Sequence, residues 1–127
     1  MGIGIRLMAN NLTNYGENSI LNGTAMPATL YMKLHIGAPN EDATGNTATY
    51  TTRTSMTRTT ATTGTCTAAA DITTTAVVVA ETITAVSFWD AATAGNAWWY
   101  GDLAASKSLA IGDVFSILAA NCVFTMD

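Results

Sequence analysis

Few residues in this chain could do chemistry, and their spacing does not bring them together. His35 is the only histidine, so neither a histidine pair nor a histidine-based metal cluster can form. It alternates onto the polar face of a predicted strand beside Lys33 and is expected to be an ordinary exposed or interfacial residue, because a lone imidazole lacks the partner geometry of a catalytic site. Cys66 and Cys122 match no metal-ligand spacing. They read as two reduced thiols, one in a loop and one in a strand, or as a bridge closed in an oxidising medium. The nine carboxylates are scattered. Glu41-Asp42 could offer oxygens to Ca²⁺, but their loop lacks the repeated Asp/Asn spacing of calcium loops and reads as a solvated turn. Nothing selects a carboxylate pair for hydrolysis. Nucleophile-elbow, phosphate-loop and zinc signatures are also missing. The expectation is a protein that is not an enzyme, with no catalytic, cofactor-binding or metal-binding residues.

The aromatic side chains are the remaining candidates. All three tryptophans lie within Val86–Asp102, where Phe88-Trp89 and Trp98-Trp99-Tyr100 flank a Gly/Asn-containing turn. Neighbouring strand residues point to opposite faces. One of Trp98 and Trp99 should therefore enter the core while the other faces outward, under a loop or helix, as an interface anchor, or as a sugar platform if amides and carboxylates lie nearby. Asp90 is expected to accept backbone N–H groups in the turn.

Composition narrows the setting of these residues. The chain has 127 residues, enough for one domain with a real core. Apolar residues make up 49% and charged residues 11%, against about 25% charged in ordinary globular domains. So lightly charged a surface is best reconciled with cover by partners. A net charge of −4 with five Lys+Arg argues against nucleic acid. No apolar run is long enough for a membrane span, and Asn10, Asn11 and Asn14 interrupt what could pass for a signal peptide.

The elements that must position these side chains are mostly strands. Met8, Leu12, Tyr15 and Ile20/Leu21 recur at helical spacing and predict one short helix over residues 10–22, capped by Asn10 or Asn11, with Gly16 weakening it. Leu30, Met32, Leu34 and Ile36 alternate with Tyr31, Lys33 and His35, the pattern of a half-buried strand after Pro27. Residues 37–46 are turn chemistry. Threonine dominates from Thr47 to Thr75. There Thr49–Met56 reads as a strand, and Thr59–Ala70 as a loop or an arm able to pair with an adjacent subunit. Further short strands are expected at Ala76–Ala80, Thr82–Trp89 and Ala97–Leu103, at Ser108–Ile111 and Val114–Leu118 joined as a hairpin by Gly112-Asp113, and at Cys122–Met126. The predicted fold is mainly β: an antiparallel, jelly-roll-like β-sandwich of about eight short strands with one N-terminal helix. Residues 1–7 would form an N-terminal extension or arm, and residues 8–127 a single domain.

Several segments, in order, resemble a family of small tailed-phage virion proteins labelled tail-fibre-like or structural. They are Met8–Asn10 with Leu12–Asn18, Pro27–Pro39, Tyr50 with Arg53, Phe88–Asn96, Tyr100–Leu103, Ser106–Ser108, Gly112-Asp113 and Phe124–Asp127. Where the family tends to carry a Trp-Gly-like pair, this chain has Ala80-Glu81. The resemblance implies a non-enzymatic bacteriophage structural protein of the virion, assembled in the host cytoplasm. Two placements remain open: a capsid decoration (cement) protein bridging subunits of the major capsid protein, slightly favoured by the short, shaft-free chain, or a tail, tail-fibre or baseplate component involved in host attachment. Other virion proteins would be its partners and a homo-oligomer, a trimer first, its state. The interface candidates are Ile3, Ile5 and Leu7 of the arm, Tyr50, and Trp98 or Trp99.

Overall fold

The computed structural model describes residues 7–21, 25–62 and 65–125. Their elements run β1 (Leu7–Leu12), α1 (Asn14–Leu21), β2 (Thr29–His35), β3 (Thr54–Thr57), β4 (Thr65–Thr67), β5 (Ile72–Thr73), β6 (Glu81–Trp89), β7 (Ala97–Leu109), β8 (Ser116–Ile117), a 3₁₀ turn at Ala119–Asn121 and β9 (Val123–Thr125). The architecture is mainly β and antiparallel throughout, as expected. One continuous sheet has the order β1-β7-β6-β2-β3, and two ribbons, β4-β9 and β5-β8, form the second layer.

The core lies between these layers. From the sheet it takes Leu30, Met32, Leu34, Val86, Phe88, Trp98, Trp99 and Leu103; from the ribbons and their flanks it takes Cys66, Ile72, Phe115, Ile117, Cys122 and Phe124. Phe124 fixes the layers to each other, with its ring edge-on to Phe88 at 4.9 Å and tilted against Trp99 at 5.2 Å. Such aromatic pairs add about 0.5–1.5 kcal/mol beyond area burial.

Several expectations need correction. Residues 7–12 are a strand on the sheet edge, paired with β7 from Leu7↔Leu103 to Leu12↔Trp99, so the helix begins at Asn14 rather than residue 10. Its cap is Thr13, whose Oγ1 accepts the Gly16 N–H at 2.9 Å. The Met8/Leu12/Tyr15 spacing mimics a helical face only because a strand and a helix abut there. Leu7 belongs to β1, while Ile3, Ile5 and the rest of residues 1–6 lie outside the described residues. The threonine-rich segment, expected over Thr59–Ala70 as a loop or an arm, contains strand β4. Its described residues fold back on their own chain: Thr59 N–H bonds Thr67 C=O at 2.8 Å, and β4 pairs with β9. The Gly112-Asp113 turn forms, but not the hairpin, because the chain leaves it to pair β8 with β5 through Ile72↔Ile117. Residues 76–80 are loop, and β7 runs on to Leu109.

Candidate functional site

The polar face of β2 and β6 turns away from the main core and is roofed by the loop of residues 37–46. Three of its residues, Asn40, Ala43 and Asn46, take positive φ. These turns let Ile36 N–H reach Asn46 C=O at 2.8 Å and fold Ala43 down onto Trp89 and Ala97.

Beneath that roof His35 is 0% exposed, which corrects its expected exposed or interfacial position. Its Nδ1 lies 2.8 Å from Gly45 C=O and its Nε2 lies 2.7 Å from Ser87 Oγ. A carbonyl only accepts, so Nδ1 carries the hydrogen and Nε2 receives the Ser87 hydroxyl hydrogen. Ser87 Oγ in turn accepts the Trp89 indole N–H at 2.8 Å. Burial, with the nearby Lys33 charge, outweighs the Gly45 bond and pulls the His35 pKa below its ordinary value. A serine 2.7 Å from a histidine resembles an activated nucleophile. Here both residues are fully buried, and the indole occupies the serine oxygen. The pair holds the roof to the sheet.

Trp89 is the tryptophan of this outer face. It is 8% exposed, with the Arg53 guanidinium 3.9 Å and the Lys33 ammonium 5.4 Å from its ring centroid. Trp98 and Trp99 are both buried in the main core, 1% and 3% exposed, so neither faces outward as expected. The cause is a bulge. Phe88 pairs with Trp99 and Trp89 with Ala97, leaving Trp98 as an extra residue that breaks the strict alternation. Tyr50 is likewise held within its own chain, its hydroxyl 2.8 Å from Thr75 Oγ1.

The turn at residues 90–96 is built by the sequence around it. Asp90 Oδ1 accepts the Asn96 N–H at 2.8 Å, as expected of that residue. Arg53 donates to the Ala91 and Ala94 carbonyls at 2.8 and 2.7 Å. Gly95 has φ +70°, and a Cβ there would strike the Asp90 carboxylate and come within 2.8 Å of Ala91 Cβ. The Tyr50/Arg53 motif is thus architectural: one member ties residues 50 and 75 together, and the other pins this turn.

Where the turn, the roof and the start of α1 meet, they enclose an open groove of about 270 Å³ lined by Thr13, Asn14, Tyr15, Glu41, Asp42, Thr44, Trp89, Gly95, Asn96 and Ala97. Its position depends on Thr13, whose N–H bonds Trp98 C=O at 3.0 Å and whose hydroxyl bonds Ala97 C=O. Tyr15, 40% exposed, stands edge-on to Trp98 at 5.6 Å. Asp42 folds over Thr44, accepting its N–H and hydroxyl at 3.1 and 2.8 Å, and these bonds hold its carboxyl below the usual range. The sequence could not announce this groove, because its walls come from three distant segments. No group of three or more metal-ligating side chains occurs among the described residues, and none of their helices is long and apolar enough to cross a membrane. Both cysteines are free and buried. Burial first, and Cys66 second, push the Cys122 thiol up to about 12.

Comparison with protein families matches residues 10–125 to the family described as podophage GP4 fiber I protein gp80. The chain belongs to the Gp80 family. It is therefore a structural protein of the tailed-phage virion, associated with other virion proteins. No curated protein matches it. The Gp80 match takes in nearly all of the sheet, both ribbons and every wall of the groove.

Proposed function

We propose that the protein is a non-enzymatic component of the tail or tail fibres, acting in host attachment, and not a cement protein of the capsid. The observation that carries this reading is the Gp80 match, because the family's own description is of a fibre protein. Composition alone leans slightly toward shell decoration; the family description supports the fibre reading.

The layout of the molecule supports a part with two working ends. β6 spans nine residues, about 27 Å at strand rise. The groove lies beside its Trp89 end. At its Glu81 end the 76–80 loop is bonded to the 110–113 turn through Gly112 N–H to Val77 C=O at 2.8 Å. Val78 and Ile111 there are 78% and 71% exposed. Exposed apolar residues of this kind suit a contact with another virion protein, which leaves the groove end directed outward.

The test is location and copy number. Quantitative mass analysis of purified virions, with immunogold labelling, should give few copies confined to the tail. Labelling spread over the head with on the order of hundreds of copies, as a multivalent shell protein requires, would establish the cement reading instead.

A further inference from the structure

We infer that the groove beside Trp89 is a saccharide-binding site that takes a neutral sugar residue and rejects acidic ones. The inference builds on the fibre reading for its biological sense, but its chemistry stands on the groove alone.

Three observations converge. First, the groove combines an aromatic wall with polar groups of both hydrogen-bonding senses. Tyr15 offers an exposed ring and Trp89 a margin of its indole, surfaces that suit the C–H face of a pyranose, while orientation in such sites comes from a few well-placed polar groups. Second, those polar groups are available. Among the described residues, no hydrogen bond within the protein engages the side-chain amides of Asn14 and Asn96 or the Glu41 carboxylate, although all three line the groove. Amides donate and accept, and a carboxylate accepts from two adjacent hydroxyls, which is the complement of a sugar ring. Third, the charge is one-sided. The acidic side chains of the lining are Glu41 and Asp42 and no basic side chain belongs to it; Lys33 and Arg53 lie against the Trp89 ring outside the lining, and Arg53 is engaged by the Ala91 and Ala94 carbonyls. A uronate or sulfated sugar would meet like charge, which disfavours binding.

The walls are also set before any ligand arrives. Thr13 is bonded to β7, the turn is pinned by Asp90 and Arg53, and the roof is held through His35. The backbone of the walls then needs little ordering on binding. At about 270 Å³ the groove falls just below the usual range of ligand pockets, enough for about one sugar ring with its neighbours leaving along the open side. A cationic peptide is the competing occupant, drawn by the two carboxylates. It has less use for two unengaged amides beside an aromatic wall, so the saccharide is the better fit.

The experiment uses the full chain, uniformly ¹⁵N-labelled, titrated with lactose, mannotriose and chitotriose as neutral probes, trigalacturonate as the acidic probe, and a tetralysine peptide as the cationic one. At least one neutral probe should shift the Trp89 indole and Asn96 side-chain resonances. Glu41→Gln and Asn96→Ala should each weaken that probe about tenfold, the worth of one good hydrogen bond, without changing the thermal midpoint. Both are exposed, so folding is not at stake. Failure of all three neutral probes, equal binding by the variants, or preference for trigalacturonate or tetralysine would each overturn the site. Because the free protein is used, these failures are distinct from a head location on the virion, which would overturn the fibre reading and leave the sugar result standing.

Discussion

At the scale of single residues, the His35–Ser87–Trp89 chain shows how a few buried polar atoms fix a loop. Every hydrogen in it has one destination: Nδ1–H to Gly45, the serine hydroxyl to Nε2, the indole N–H to the serine oxygen. Ser87→Ala should remove the hub and strand two polar atoms, at about 1–3 kcal/mol for each, read as a lowered midpoint in urea. The same chain makes stability depend on acid. The folded protein holds His35 below its ordinary pKa, so the unfolded chain takes up the proton first as pH falls. Stability should be steady above about pH 6.5 and decline below it by at most about 1.4 kcal/mol per pH unit. His35 is the only histidine, and Asp42 is shifted downward, away from this range. Thermal melts between pH 7.5 and 5 should therefore show that decline in the wild type, and His35→Gln should flatten it. The thiols behave in the opposite sense. With Cys122 pushed up to about 12 and both sulfurs buried, iodoacetamide at pH 8 should label neither in the folded protein and both in urea.

At the scale of elements, α1 makes a prediction that runs against helix propensity. Gly16 costs a helix about 1 kcal/mol relative to alanine, yet a Cβ there would come within 2.7 Å of the Trp98 carbonyl oxygen, which is backbone and cannot step aside. Gly16→Ala should therefore destabilise the protein by calorimetry although the isolated segment would become more helical. Gly95→Ala should cost more, about 1–3 kcal/mol for the strained φ alone, before the collision with Asp90 and Ala91 is added, and should broaden the groove resonances. The elements also differ in how plainly the residues declare them. β2 is readable because Leu30, Met32 and Leu34 alternate against a single core, and the start of β6 is marked by the change from valine loop to Thr82–Ile83. β7 misleads at the bulge, since parity predicts opposite faces for Trp98 and Trp99 and one extra residue cancels it. Residues 7–12 mislead differently: they lack alternation, and their apolar spacing runs into that of α1. The groove leaves no local trace at all, because its aromatic, amide and carboxylate groups meet only after β1, β2, β6 and β7 have paired.

At the scale of the whole molecule, threonine replaces the ionic surface that a lightly charged chain lacks. Across paired strands its hydroxyls meet partners at Thr73–Ser116, Thr82–Ser108 and Thr65–Thr125, with separations of 2.9, 3.2 and 3.4 Å. These cross-strand pairs each contribute about 0.2–1 kcal/mol and need no counter-ion, so added salt should change the melting temperature little. The apolar end carries a separate prediction. Val78→Asp with Ile111→Asp should leave the melting temperature within about 4 °C, since each exposed site shifts stability by about half a kcal/mol or less, while incorporation into virions falls when the double variant is supplied during infection. Finally, the bulge in β7 has an optical consequence. It gathers two indoles on the inner side of the sheet and leaves the third on the outer side beside two cations, so the intrinsic emission is partitioned by a wall of backbone. Trp89→Phe would darken the outer channel alone, and the remaining fluorescence would then follow the closing of the two layers without interference from events at the rim.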